Sequence, residues 1–381
     1  VSTDLWSTSE RIALRRLARD FTEREIVPRL DDWEAAGEVP RSLHLRAAQA
    51  GLLGVAFPAA AGGSDGDIVD STIVSEEMLY AGASSGLLSA LFTHGIALPH
   101  IVASGNTDLI ERYAKPTLAG ELIGSLAVTE PDAGSDVAGI RTRAVRDGDS
   151  YVVNGAKTYI TSATRADFVT TVVRTGDDPH RGVSLLVIDS GSPGFSVVRR
   201  LEKMGWRCSD TGELAYVDVR VPASHLVGAE GSGFAQVAQH FAGERLGLAT
   251  HGYGIAQRSL DLTVAWVRQR TAFGKPLIAK QVVRHKLVDM TRAVDVARTY
   301  VHAIVERRVA GEPVFAEAAM AKNQAVEACS YVVDQAVQLH GGAGYMRDSE
   351  VERHYRDARL LGIGGGATEV MNDLAAKALF G

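Results

Sequence analysis

Apolar residues in the first third of the chain recur every three to four positions. Ala13, Leu14, Leu17 and Phe21 form one such stripe, with Ser7-Thr8-Ser9-Glu10 ahead of it in the Ser-x-x-Glu order of a capping box and Pro28 behind it. The same period runs through residues 43–53, 71–80 and 87–103, punctuated by glycine and proline. Residues 1–122 are therefore predicted to form a helical unit. Its most apolar helix, 87–103, is either scaffold or the wall of a pocket for a greasy ligand. From about residue 123 the period shortens towards two. Tyr151-Val152-Val153, Asn154-Gly155 and then 157–161 predict a hairpin turning at Asn-Gly, followed by strands over 168–173, 183–188 and 214–221. Beyond 233 the helical period returns over 260–266 and 287–301. Gly341-Gly342-Ala343-Gly344 marks a break, and 368–379 reads as a closing helix. The expectation is an α+β chain: a helical domain (1–122), a central β domain (123–233) and a second helical domain (234–381).

Composition narrows the classes. Hydrophobic residues are 46% and charged residues 23% of 381, and no run approaches the ~18 uninterrupted apolar residues of a membrane helix. Asp4, Glu10, Arg11, Arg15 and Arg16 do not make a signal peptide. Cys208 and Cys329 stand far apart without a CxxC or histidine-rich companion, so neither a disulfide framework nor a metal site is expected and the cytoplasm is the default. A net charge of −6 without a sustained basic tract argues against a nucleic-acid partner.

Two stretches invite chemistry. In 234–254, Val237, Phe241 and Leu248 form a helical stripe on which Glu244 also falls, while Arg245 projects about 100° away. A desolvated carboxylate is either a structural acid satisfied by an arginine of another helix or a base whose pKa has risen. From position alone the structural reading is the commoner. The second stretch, Ala127 to Asp136, is dense in small and hydroxyl residues and fits equally a cradle for a flat or anionic cofactor or an elaborate turn. Neither Gly231-Ser232-Gly233 nor Gly341-Gly342 is a dinucleotide fingerprint, since no strand feeds them into a helix.

TEPDAGSD at 129–136 resembles the T-E-P-x-A-G-S-D signature of the acyl-CoA dehydrogenase family. The likeness continues through NGAKTYIT (154–161), MGWRCSDTGEL (204–214), RQRTAFGK (268–275), QLHGGAGY (338–345) and RDARLLGIGGGATEVM (356–371), in the family's order over essentially the whole chain. The resemblance is nearest to the long-chain and isovaleryl-type branch. It implies a helical domain, an antiparallel β domain and a C-terminal four-helix bundle, commonly a homotetramer. The implied reaction is α,β-dehydrogenation of a fatty acyl-CoA, as in fatty-acid β-oxidation, with FAD as hydride acceptor and an electron-transfer flavoprotein as the next partner. By matching position, Leu126, Val128 and Thr129 meet the flavin's pyrimidine edge, Tyr159 and Thr161 cover its ring, and Ser135 lies at the pyrophosphate and beside the substrate. Tyr159 replaces a more usual tryptophan. Arg270, Phe273, Gln281, Gln338 and Gly342 match positions that reach the FAD of a neighbouring subunit. Thr368 and Glu369 match positions near the FAD, with Ala367 lacking a hydroxyl more usual there.

The base departs from the majority pattern. Many members carry a catalytic glutamate in a Tyr-Glu-Gly-Thr motif; here the segment is Gly364-Gly365-Gly366-Ala367, and Gly365 stands at the glutamate. Other branches place the base on a bundle helix before an arginine, and Gly243-Glu244-Arg245-Leu246 matches that arrangement. Either the protein is a silent or repurposed flavoprotein, such as an acyl-CoA binder, monooxygenase or oxidase, or the base has moved to Glu244. The second accounts for both departures. Gly365 keeps the backbone N–H that polarises the thioester carbonyl, and Arg245 is expected to order the substrate cavity.

Overall fold

A computed structural model describes residues 5–381. The chain opens on helix α1 (Ser9–Phe21), whose N-cap is Thr8, its hydroxyl accepting from the Arg11 N–H. The cap thus falls one residue later than the Ser7 reading. Pro28 sits in a 3-10 turn behind a π-helical turn, after which come α2 (Leu30–Ala36), α3 (Arg41–Gln49) and α4 (Ile68–Tyr80). In the capping box of α4, Asp67 accepts from the Val69 N–H and Asp70 from the Asp67 N–H, and Arg11 binds both carboxylates. The single helix expected over 87–103 is two, α5 (Ser85–Leu91) and α6 (His94–Ala103). They part where the Thr93 hydroxyl bonds back to the Ser89 carbonyl and across to Ser162 Oγ, 2.8 Å away. Ser85–Ala103 is apolar enough on average to cross a membrane, but 61% of it is buried here, as in the core of a globular domain. Two short helices, α7 (Thr107–Leu109) and α8 (Lys115–Leu118), finish the unit.

Seven strands follow: β1 (Gly124–Ala127), β2 (Arg143–Asp147), β3 (Ser150–Thr161), β4 (Phe168–Arg174), β5 (Val183–Asp189), β6 (Phe195–Arg200) and β7 (Thr211–Pro222). They pair in the order β1-β4-β2-β3-β7-β6, with β5 on β4. Most pairings are antiparallel; β1 runs parallel to β4, and one parallel bridge joins β2 to β4. The expected turn at Asn154-Gly155 is not a turn. Strand β3 runs straight through it with a bulge against β7, and Gly155 is required there because its φ is +151° and a β-carbon would stand 2.6 Å from Thr142 Cα. The chain turns instead at Gly148-Asp149, where Asp147 of β2 faces Ser150 of β3. Strand β2 escaped the periodicity reading because four of its five residues are solvent-exposed.

The segment between β1 and β2 is held by a buried ion pair. Lys157 Nζ donates to Glu130 Oε1 at 2.8 Å and to the Val128 carbonyl, while Glu130 also accepts from the Arg141 and Thr142 N–H groups. Burial lowers the Lys157 pKa to about 8 against the pull of Glu130. Burial works to raise Glu130, yet Lys157 and the hydrogen bonds hold it below the ordinary range. Both groups are charged at neutral pH.

The C-terminal bundle comprises α9 (Gly233–Gln269), a small hairpin of β8 (Thr271–Ala272) and β9 (Lys275–Pro276), α10 (Gln281–Val309) and α11 (Phe315–His340), with α12 (Glu350–Leu361) and α13 (Thr368–Phe380) packed along α11. Helix α9 is the element that touches everything. Val237 joins the apolar cluster under the sheet, Leu246, Ala249 and Tyr253 the bundle core, and Ile255 the core of the N-terminal unit. Burying Val237, Leu246 and Ile255 contributes about 1.5–3 kcal/mol each. Cys208 and Cys329 are free and buried, and no metal-binding cluster occurs among the described residues.

Removing one partner of the buried pair leaves an uncompensated charge. Glu130→Ala is expected to cost about 3–5 kcal/mol in denaturant unfolding, and the double change Glu130→Leu with Lys157→Met less than that. Equal losses in the single and double variants would show that the charge is not what matters.

Candidate active site

The three units meet around a cleft of about 1850 Å³. This exceeds the ~300–1,000 Å³ of an ordinary small-molecule pocket and suits two ligands lying side by side. One wall comes from the sheet and the segment after β1, with Leu126, Val128, Thr129, Ser135, Tyr159 and Thr161. Another is α9, with Glu244, Arg245 and Leu248, and a third is the loop Gly364–Ala367 that leads into α13. Nine of the residues singled out from the sequence are thus brought together: these six with Glu244, Arg245 and Gly365. Thr368 and Glu369 open α13 just behind the loop, while Arg270, Phe273, Gln281, Gln338 and Gly342 lie on exposed bundle surface outside the cleft.

Glu244 and Gly365 converge on one spot. Gly365 has φ +63°, and a β-carbon added there would overlap Leu248 Cδ1 and stand 3.6 Å from Glu244 Oε1. A side chain at 365 would therefore compete with Leu248 for space and lie in contact with the Glu244 carboxylate. Burial raises the Glu244 pKa, opposed by the charges of Arg245 and Lys322. The structural reading of this acid, an arginine of another helix paired to it, is not what the structure shows: no such ion pair is formed among the described residues. Arg245, 4% exposed, points to the aromatic rings of Phe241 and Phe315, 5.7 and 5.2 Å away, and its Nε and one Nη find no hydrogen-bond partner. Burial lowers its pKa.

The glycine loop is clamped from α11. Lys322 Nζ, fully buried, donates to the Gly366 carbonyl at 2.6 Å, and Asn323 Nδ2 donates to the Thr368 carbonyl and Asn372 Oδ1. Burial brings Lys322 down to about 8. Sequence reasoning missed this lysine. The available signal was its place on an alanine-lined face with Ala318, Ala319, Ala321 and Ala325, where a charge demands a partner.

Trp206 was missed as well. It lines the cleft at φ +51°, its backbone N–H donating to Asp357 Oδ1 at 2.7 Å. Burial, and then the neighbouring Glu34 charge, push Asp357 up to about 7.

The sheet wall suits a flat aromatic group. A bulge between Lys157 and Ile160 turns Tyr159 to φ +60°, a conformation that costs a non-glycine residue about 1–3 kcal/mol, and leaves its ring 70% exposed. Thr129, Ser135 and Thr161 line the same cleft. These features fit an isoalloxazine with its ribityl chain.

Three family models match end to end: the acyl-CoA dehydrogenase N-terminal domain over residues 8–121, the middle domain over 125–219 and the C-terminal domain over 231–380. The chain is 37% identical over 373 residues to the rat mitochondrial long-chain specific acyl-CoA dehydrogenase, covering 97% of this chain and 86% of that one. The crystal structure of a probable acyl-CoA dehydrogenase from Mycobacterium abscessus superposes with a TM-score of 0.97 at 63% identity, covering 98% of this chain and all of the other. A glutaryl-CoA dehydrogenase from Mycobacterium smegmatis, solved in complex with FADH2, is 26% identical with a TM-score of 0.92, covering all of this chain and 96% of that one.

The raised Glu244 pKa has a sign that can be checked. A carboxyl whose folded pKa exceeds its unfolded value, about 4.3, stabilises fully below that value, and the contribution is lost as pH rises through the folded pKa. Ionised Glu244 is then a cost at pH 7. Glu244→Gln should melt at an equal or higher temperature than the unmodified protein at pH 7–8, with the gap closing towards pH 4. A lower melting temperature at pH 7 would mark Glu244 as a structural, salt-bridged acid instead.

Proposed function

Because the chain belongs to the acyl-CoA dehydrogenase family, we propose that it oxidises an acyl-CoA thioester to the trans-2-enoyl-CoA with FAD as cofactor and Glu244 as the base for the α-proton. The observation that carries the assignment is the 3.6 Å between Glu244 Oε1 and the β-position of Gly365. The carboxylate from α9 reaches the spot that a side chain at 365 would occupy, so the loss of a glutamate from the loop and its appearance on α9 leave the site equivalent.

Each residue has a task derived from its surroundings. Glu244 takes the α-proton, and the burial that raises its pKa makes it a stronger base for that work. The Gly365 N–H, in a loop fixed by Lys322 and just ahead of the positive end of α13, donates to the thioester oxygen as negative charge gathers there; one such donor is typically worth about 2.7–4 kcal/mol. Tyr159, Thr161, Val128 and Thr129 would hold the isoalloxazine, and Ser135 the pyrophosphate. FAD, when bound, supplies the acceptor for the β-hydride, which no side chain can.

The reading extends to assembly and partners. Phe273 is 95% exposed at φ +53° on the β8–β9 hairpin, and Tyr345, just after the Gly341–Gly344 break, is 75% exposed, as suits residues that meet a neighbouring subunit. We assign Arg270, Phe273, Gln281, Gln338 and Gly342 to the FAD of an adjacent protomer in a homotetramer, and an electron-transfer flavoprotein as acceptor. Two free buried cysteines suit the reducing cytoplasm. The long-chain relative supports a fatty acyl chain as substrate.

Two outcomes are expected. Glu244→Gln should keep FAD and lose about 10²–10⁴ of the rate of flavin reduction, read as anaerobic bleaching across a panel of straight and branched acyl-CoAs; near-normal bleaching would refute the base. Arg270→Ala should release FAD and loosen the assembly together, measured by flavin absorbance on a sizing column, and tight FAD in an intact assembly would contradict the shared site.

A further inference from the structure

Beside Glu244 the cleft opens into a recess of about 190 Å³, walled by Pro99 and His100 of α6, His240 and Phe241 of α9, and Arg308 near the end of α10. Three observations there are unexplained by the chemistry above. First, Arg307 forms ion pairs with Glu312 at 2.7 Å and Glu317 at 3.0 Å, whereas its neighbour Arg308 pairs with no carboxylate among the described residues. Its guanidinium lies over Gly243, one Nη 3.6 Å from where a β-carbon would be, and burial alone lowers its pKa. Second, His100 is 1% exposed with Nδ1 lacking any hydrogen-bond partner. Burial pushes it to about 3, so it is neutral, and it meets the edge of His240 at 4.6 Å. Third, the Arg245 guanidinium on the adjoining wall is likewise unsatisfied.

Arginine stays charged at any working pH. Arg308 and Glu244 line this recess without forming an ion pair, and Arg245 on the adjoining cleft wall has hydrogen-bond capacity left over. A half-buried guanidinium without a counter-charge is stabilised when an anion enters beside it with the ligand.

We propose that Arg308, with His100 and His240 beside it, forms a recognition site for an oxyanion of the substrate, a carboxylate or a phosphate, held to the side of Glu244. The site rests on the dehydrogenase reading and makes it more specific. Its source is either a carboxylate at the far end of the acyl group or a phosphate of the thioester's carrier. The recess also contains Phe241 and Pro99, which enclose the polar groups in apolar surface and strengthen such a contact.

Equilibrium binding to the purified holoenzyme tests this with four thioesters: butyryl-CoA, glutaryl-CoA, S-butyryl-pantetheine and S-glutaryl-pantetheine. Arg308→Gln should weaken the ligand that carries the recognised oxyanion by about 10- to 100-fold and leave the matched ligand without it within about twofold. A loss confined to the two CoA esters identifies a carrier phosphate, and a loss confined to the two glutaryl esters identifies the acyl carboxylate. Arg308→Met, which keeps the aliphatic stem, serves if the glutamine variant does not fold, and Arg308→Lys should recover part of the affinity. All four ligands binding either neutral variant within twofold of the unmodified protein would overturn the site. An unmodified protein that binds none of the four and whose flavin no acyl-CoA of the panel bleaches would instead overturn the dehydrogenase reading beneath it.

Discussion

Space for one carboxylate is the constraint on which this site depends. Leu248 follows Glu244 by one helical turn, so both side chains lean over the same patch, and that patch is where a β-carbon at position 365 would project. Glycine with a positive φ at 365 is therefore the counterpart of Glu244 and Leu248 rather than a separate feature. The loop that bears it cannot drift, because Lys322 holds the Gly366 carbonyl and Asn323 the carbonyl of Thr368. A base on a long, well-buried helix is also more rigidly placed than one on a loop.

Rigidity has an electrostatic side. Glu244 is desolvated, and Arg245 and Lys322 keep its pKa from rising as far as burial alone would take it. The cost is offset further along α9. There Tyr253 donates to buried Glu76, which also receives His302 at 2.6 Å and Arg15 at 3.1 Å, joining α4, α9, α10 and α1 in one polar network. Helix α9 is thus fixed by a satisfied network at one end and left with unsatisfied groups at the other, where ligand binds. Arg245 and His100, with unsatisfied nitrogens, and Arg308, without a carboxylate partner among the described residues, all belong to the second end.

The order of helical, β and helical units was legible because it rests on periodicity, which burial of one face imposes directly. That Glu244 and Gly365 belong to one site was expected from motif resemblance, but the packing of Leu248 against position 365 was not legible, since it arises between residues 117 positions apart in sequence, 365 against 248. Local signals misled where tertiary contacts overrode them. Asn154-Gly155 has the composition of a hairpin turn, yet the close approach of Thr142 uses the glycine within a continuous strand. The apolar run 87–103 hid a break caused by one threonine hydroxyl bonded to Ser162 on another domain. The partners of Lys322 and Asp357 were hidden for a different reason: they are backbone groups, which carry no sequence signature.

The most direct test of Glu244 is solvent exchange of the substrate's α-proton in D2O, followed by NMR on an acyl-CoA bound to the enzyme with oxidation arrested. Exchange should rise with pH along one ionisation above the ordinary glutamate range and vanish in Glu244→Gln. Exchange that persists in that variant at the unmodified rate would contradict the placement of the base on α9.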